Sequence, residues 1–231
     1  MSLQTTIVIG SSAGLDLGLA DNSISLVVGL AILSLLPFAA LTLTSFVKIA
    51  VVLGIARSAL GTGQLPPTPV LTGLAVILSA HVMAPVATKA WDAMTDDEGS
   101  PDEVALLDGL AAAREPLVDF LTTHASSEDL ELFLDVASKS RGDGQVLCER
   151  SLLVAAPAFL IGQLREAFKI GFLIFLPFLV VDLVVSCVLL ALGMHMLSPT
   201  TVSLPFKLLL FVAADGWMLI SESLIRSYLP T

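Results

Sequence analysis

Three adjacent residues near the C-terminus, Met194, His195 and Met196, combine two thioethers and an imidazole at the end of a strongly apolar run. Thioether and imidazole ligands suit Cu(I), so a copper site is one interpretation of this triplet. A helix end whose side chains pack in the core is a second. A third is a constriction, because flexible methionines from several copies can seal against varied surfaces and yield when a chain passes. The residues alone leave these three open.

Ionisable side chains inside apolar runs are a second group of candidates. Asp182 interrupts the run FLIFLPFLVVDLVVSCVLLALG, and Lys207 and Asp215 lie in the next apolar run. An aspartate that faces lipid costs about 3 kcal/mol on insertion scales. We therefore expect these side chains to face protein or a wet cavity, in ion pairs between helices or in contacts between subunits. A proton relay is less favoured, because it usually needs a longer series of titratable groups.

Catalytic chemistry has little support in the residue pattern. The three histidines, His81, His124 and His195, belong to no recognised nucleophile or zinc motif, and a hydrolase needs a nucleophile beside an oriented base. A carboxylate pair of Asp182 and Asp215 would lack the glycine-rich surroundings that intramembrane aspartyl chemistry would want. The sequence therefore predicts a protein that is not an enzyme, and it assigns no cofactor or metal.

Composition places the chain among membrane proteins. Hydrophobic residues make up 55% of the chain and charged residues 14%, whereas soluble domains hold about 25% charged residues. The formal net charge of −10 is confined to residues 87–150, which hold 15 acidic and 5 basic residues. An acidic segment offers nothing to a phosphate backbone, so nucleic acid is excluded as a partner.

Residues 24–86 predict a first apolar helical hairpin. Ile24–Leu43 is a charge-free stretch of 20 residues, long enough to cross a bilayer core of about 30 Å. Phe46–Leu60 continues as helix with two charged residues. Glycine and proline then break the helix at Gly61–Pro67, and Pro69–Val86 forms the second arm.

The remaining segments complete an all-α prediction. Residues 1–23 are rich in glycine and serine and are expected to be flexible. Residues 87–150 show short amphipathic patterns, which predict a small acidic helical lobe that faces water. Residues 151–231 predict a second apolar hairpin, whose last arm is Phe206–Ser221. We therefore expect a membrane-associated subunit of two apolar helical hairpins and one acidic lobe.

The positive-inside rule gives conflicting answers for the two hairpins. Placing the acidic lobe outside puts Lys48 and Arg57 inside, as the rule prefers, but it puts Arg165 and Lys169 outside. Several apolar runs are also broken by proline, glycine or a charge. The pattern favours hairpins that bury themselves in protein and do not face lipid throughout.

Three blocks of the sequence resemble the FliP/SctR family of type III secretion export-apparatus proteins. They read LTSFVKIAVVLGIARSALGTGQLPPTPVLTGLA, PAFLIGQLREAFKIGF and LPFLVVDLVVSCVLLALGMHMLSPTTVSLPFKLLLFVAADGW, and the matching regions cover about 41–86 and 156–219. No basic residue precedes Lys48, so no positively charged signal segment is evident before the first apolar run. This favours the injectisome, SctR-like branch of the family.

The resemblance implies a core channel and gate subunit that oligomerises to form the entry pore for unfolded secreted proteins. It also implies a pentamer in the bacterial inner membrane, multi-pass, in a complex that projects into the periplasm, and it implies that the acidic lobe of residues 87–150 is periplasmic. The implied partners are SctS/FliQ-like and SctT/FliR-like subunits and an SctU/FlhB-like switch protein. Met194, His195 and Met196 would then form the gasket of the pore. A small-solute membrane transporter or channel subunit is the alternative.

Seven polar residues are expected to make contacts between helices or between subunits: Gln163, Arg165, Glu166, Lys169, Asp182, Lys207 and Asp215. Relatives often have glutamate at the position of Gln163, and a glutamine there cannot form a charge pair with Lys207. Either Glu166 or Asp182 replaces it, or a neutral hydrogen bond suffices. Many flagellar relatives have methionine where this chain has His195, and imidazole ordinarily titrates between pH 6 and 7. A ring of His195 side chains would therefore make gating respond to pH.

Overall fold

The computed structural model describes residues 27, 30, 31, 34, 35, 37–95, 114–141 and 150–229. Every regular element in these ranges is a helix, so the all-α prediction is confirmed. The chain forms two compact units, Met1–Ala40 and Leu41–Thr231. The described residues of the first unit are helical. The flexible segment predicted at residues 1–23 lies outside the described residues.

The described part of the second unit is built from helices. In chain order they are α1 (Phe46–Leu60), α2 (Thr68–Thr95), α3 (described over residues 114–123), α4 (Ser127–Arg141), α5 (Leu152–Ala191), α6 (Pro199–Ala213) and α7 (Gly216–Arg226). Helix α2 continues past Val86, where the first hairpin was expected to end. Its extension remains helical because residues 87–95 contain neither glycine nor proline.

The turn of the first hairpin forms where glycine and proline predict it. Gly61 ends α1 in the left-handed conformation at φ 72°, and its N–H donates to the carbonyl of Ser58. The guanidinium of Arg57 then donates to the hydroxyl of Thr68 across the turn, at 3.0 Å. The guanidinium of Arg57 therefore joins the end of α1 to the start of α2.

Helix α5 is too long to lie wholly within a bilayer core. It has 40 residues and continues through Pro157 and Pro177. At 1.5 Å per residue such a helix is about 60 Å long, about twice the thickness of the hydrocarbon region. Part of α5 must therefore lie outside hydrocarbon.

Two of the described helices are long and apolar enough to cross a membrane: α5, and α2 over Thr68–Asp92. The α6–α7 pair would be a third span if one span can include the 57° bend between them. The arm predicted at Phe206–Ser221 is thus two helices. The break falls at Asp215, in the left-handed region at φ 49°, and Gly216 follows it in close contact with the ring of Phe211.

Helix α1 lies at the centre of the second unit. Its residues Ile49, Val52, Leu53 and Ala56 are fully buried, and the helix packs against α2, α5 and α6. Where α1 meets α5, a Cβ at Gly171 would overlap the side chain of Ile55. Glycine at this position is what permits α1 and α5 to touch.

The acidic lobe, formed in the structure by α3 and α4, packs on the first half of α5. Phe120 and Leu121 of α3 share an apolar cluster with Phe159 of α5 and with Tyr228 near the C-terminus. Leu130 of α4 joins a neighbouring cluster on the same half of α5. The lobe is therefore a packed part of the second unit.

The contact at Gly171 gives a direct test of the α1–α5 crossing. Replacing Gly171 by alanine should destabilise the chain by about 1–3 kcal/mol, the usual cost of overpacking. Alanine at Gly73 of α2 meets nothing within 4 Å and should instead stabilise the helix by up to about 1 kcal/mol. Denaturant unfolding of the detergent-solubilised protein measures both changes. Equal effects of the two substitutions would contradict the crossing.

Candidate functional site

The candidate gasket residues lie in a tight turn between α5 and α6. Gly193 adopts φ 70° just after the end of α5, a conformation that glycine enters without strain. The N–H of Met194 donates to the carbonyl of Leu189, and that of His195 to the carbonyl of Gly193. Pro199 then begins α6. Local hydrogen bonds therefore hold the turn in shape, with little need for support from its side chains.

The two methionines of the turn have different surroundings. Met196 is 99% exposed, whereas Met194 is 38% exposed and turns towards an apolar groove. Packing in the core of this chain therefore does not account for Met196. The two thioethers also face different environments, which does not suit one copper ion held by a single chain. The arrangement presents a flexible apolar side chain at the tip of a fixed turn.

An apolar groove of about 560 Å³ lies beside the turn, between the end of α5 and the start of α6. Its lining is aliphatic and aromatic throughout: Val180, Val181, Val184, Val185, Val188, Leu189, Leu192, Met194, Val202 and Phe206. An apolar groove next to an exposed methionine is suited to packing against other apolar chains.

Asp182 and Lys207 form an ion pair that joins α5 to α6 close to this groove. The ammonium of Lys207 lies 2.6 Å from a carboxylate oxygen of Asp182, and the hydroxyl of Ser203 donates to the other oxygen at 2.5 Å. The side chain of Lys207 is 7% exposed and that of Asp182 31%. Lys207 also donates to the carbonyl of Ala59 at the end of α1, at 3.4 Å. The pair therefore fixes three helices relative to one another.

Glu166 makes a second ion pair, with Lys48, which is not among the predicted site residues. The ammonium of Lys48 on α1 lies 2.5 Å from Glu166, and its side chain is 1% exposed. The same ammonium lies 4.6 Å from the centre of the Tyr228 ring, within the range of a cation–π contact. A lone lysine within the apolar helix Phe46–Leu60 was the signal for this site, by the same argument that selected Asp182.

Gln163 and Arg165 connect α5 to the acidic lobe. The hydroxyl of Tyr228 donates to the amide oxygen of Gln163 at 2.5 Å, and the amide nitrogen of Gln163 donates to the carbonyl of His124 at 3.1 Å. Burial, and then the charge of Glu166, raise the pKa of the Tyr228 phenol above its ordinary value. The phenol therefore remains a donor.

Arg165 makes a two-pronged contact with a buried carboxylate. Its two terminal nitrogens bind the two oxygens of Asp129 at 3.0 and 2.8 Å, and Asp129 is buried on α4. Planar pairs of this kind are the strongest ion pairs in proteins. Arg165 therefore faces the lobe rather than lipid. This contact explains why the position of Arg165 does not follow the positive-inside rule.

Lys169 and Asp215 have less defined places. Lys169 is exposed and lines a polar cavity with Lys48, Gln163 and Glu166. Asp215 is exposed at the α6–α7 break, and its carbonyl accepts the N–H groups of Met218 and Leu219. Its carboxylate does not cap α7, and the carboxylate that binds Lys207 is that of Asp182. The structure therefore gives Asp215 a backbone role.

Comparison with known proteins yields one consistent family. A model described as the FliP family matches residues 29–224. The "Pathogenicity-related ORF2" of Xanthomonas campestris pv. glycines is 44% identical over 209 residues, 88% of this chain and 95% of that protein. The "Flagellar biosynthetic protein FliP" of Caulobacter vibrioides is 42% identical over 93% of this chain and 80% of its own length. The "Yop proteins translocation protein R" of Yersinia pestis is 43% identical over 90% and 97%.

The Asp182–Lys207 pair predicts that replacing a buried lysine lowers the unfolding free energy more than replacing an exposed one. Lys207→Met leaves the carboxylate of Asp182, which is 31% exposed, without its cation and should cost about 1–3 kcal/mol of unfolding free energy. Lys139→Met breaks an exposed pair with Asp135 and should cost less than about 1 kcal/mol. Denaturant unfolding in detergent measures both. A cost for Lys207→Met no larger than that for Lys139→Met would contradict this assignment.

Proposed function

The chain belongs to the FliP family, whose members are structural components of type III secretion and flagellar export apparatuses and not enzymes, and we propose that it forms the gate of the export channel for unfolded secreted proteins. The observation that supports this most is the exposure of Met196 at the tip of a turn that is hydrogen-bonded in place. A fixed frame with flexible thioether tips suits a seal that must close on itself and open for a polypeptide.

The gate requires several copies of the chain around one axis, and we propose a homo-oligomer, a pentamer by resemblance to the family. Helix α5 exposes a long row of large apolar side chains: Phe168, Phe172, Leu173, Leu176, Leu179 and Leu183. Contiguous apolar surface of this extent is typical of an interface with protein or membrane. We propose that part of this row contacts sister copies.

The surroundings of the channel are inferred from the same resemblance. We place the assembly in the bacterial inner membrane, as a multi-pass complex that projects into the periplasm with the acidic lobe on that side. Its partners would be SctS/FliQ-like and SctT/FliR-like subunits and an SctU/FlhB-like switch protein. Arg165, Glu166 and Asp182 are used within the chain, so Lys169 and Asp215 are the better candidates for contacts between subunits.

Removing the thioethers should open the closed gate. Met194→Ala/Met196→Ala shortens the side chains at the tip of the turn, and closed complexes in membranes should leak ions or small molecules several-fold faster than the wild type. Met218→Ala is the matched control, because Met218 is an exposed methionine on α7, away from the turn. Ion flux through reconstituted complexes measures the effect. Unchanged tightness of the double variant would count against the gate.

His195 should make the gate respond to pH. Imidazolium rings brought together around one axis repel one another, so the wild-type gate should loosen when acidification protonates His195. His195→Met removes the imidazole, and secretion or leak by this variant should vary less with pH. His81→Gln, on α2, is the control and should follow the wild type. If His195→Met and the wild type have the same pH profile, the hypothesis is wrong.

A further inference from the structure

His124 lies at the joint between the acidic lobe and the rest of the second unit. It follows the last residue of α3 and precedes α4. Its half-buried ring packs on Phe120, with ring centres 4.7 Å apart, and meets Tyr228 edge-on at 5.1 Å. One aromatic neighbour thus belongs to the lobe and the other to the C-terminal segment.

The backbone of His124 also takes part in the attachment of the lobe. Its carbonyl accepts the hydrogen bond from Gln163 of α5, and Gln163 in turn accepts from Tyr228. The ring of Tyr228 contacts the ammonium of Lys48 on α1. A displacement of His124 would therefore disturb contacts that link the lobe to α1, to α5 and to the C-terminal segment.

The polar cavity beside this imidazole is lined by charged residues of three helices. The cavity, of about 410 Å³, is lined by His124 together with Lys48 of α1, Glu128 of α4, and Arg165, Glu166 and Lys169 of α5. The C-terminal segment contributes Tyr228, a neutral phenol. Three cations and two carboxylates thus line the cavity that His124 borders. Glu166 is already paired with Lys48, and Lys48 already occupies the face of Tyr228.

We propose that His124 is a protonation switch in this joint, and that an imidazolium there releases the lobe from α1 and α5. A positive ring at this place would lie near Lys48, and among the described residues the imidazole makes no ion pair with the two carboxylates of the cavity, Glu128 and Glu166. Moving the ring out of the aromatic cluster into water relieves this repulsion. That movement withdraws the carbonyl of residue 124 from Gln163 and separates Phe120 from Tyr228.

The direction of the pH dependence follows because the docked lobe accommodates the neutral imidazole of His124 better than the imidazolium. Burial, and then the charge of Lys48, lower the pKa of His124 below its ordinary value of 6.5, and Glu166 opposes them more weakly. The released lobe, in which the ring is solvated, therefore binds the proton more readily than the docked lobe. Docking is fully favourable above about pH 6.5 and weakens as the pH falls below this value. For each unit by which the pKa of His124 differs between the released and the docked lobe, full protonation changes the docking equilibrium constant by about tenfold.

Hydrogen–deuterium exchange of the intact, detergent-extracted complex tests this switch. The quantity measured is the exchange rate of amides in residues 114–141 divided by that of amides in α1, between pH 7.5 and 5.5. The ratio cancels the intrinsic effect of pH on exchange. In the wild type the ratio should rise several-fold as the pH falls. In His124→Phe, which keeps the aromatic packing and cannot take up a proton, it should stay constant.

Two controls keep the outcome decisive. His81→Gln removes an exposed histidine of α2 and should leave the wild-type rise intact. A rise in His124→Phe equal to that of the wild type would overturn the switch. Should His124→Phe fail to fold, the NMR titration of the wild-type imidazole decides, because lobe release that does not follow the protonation of His124 also overturns it. The readout involves neither secretion nor leak, so its failure is separate from any failure of the gate.

Discussion

Two buried lysine ammonium groups, on two different helices, both reach carboxylates of α5. Lys48 of α1 binds Glu166, and Lys207 of α6 binds Asp182. An ammonium that leaves water without an anion is strongly unfavourable, so α1 and α6 can pack on α5 only where each lysine meets its carboxylate. The carbonyl of Ala59, at the end of α1, adds to the site of Lys207, where the negative end of the helix dipole favours a cation. These two pairs fix the arrangement of the central helices.

The exposed methionine turn depends on this fixed frame. Asp182, Lys207 and Ser203 hold α5 and α6 together next to the groove from which the turn projects. The turn is closed by its own backbone hydrogen bonds after Gly193. Its methionines are therefore free to contact other surfaces without loosening the helices. A gate that opens for a polypeptide and closes again has the same requirement, since the frame must stay while the tips move.

The same residue types take different places because of their partners. Both Glu166 and Asp182 were candidates to bind Lys207 once a charge pair with Gln163 had been excluded. In the structure Asp182 binds Lys207, and Glu166 binds Lys48. Asp215 resembled them in the sequence as a charge in an apolar run. It lies instead at a helix break in the left-handed region, which aspartate tolerates better than most residues. It is exposed there, so it needs no buried cation.

The sequence by itself determined the all-α class, the turn at residues 61–67, the position of the methionine turn and the family, because apolar runs, glycine, proline and long ordered motifs are local signals. It also determined that charges within apolar helices must find partners. Only the tertiary structure decided which carboxylate meets which lysine, that α6 and α7 bend apart at Asp215, and that His124, Gln163 and Tyr228 form one cluster. The physical reason is that such contacts depend on how far each helix is rotated and shifted against its neighbours. The spacing of residues along one helix does not encode that displacement.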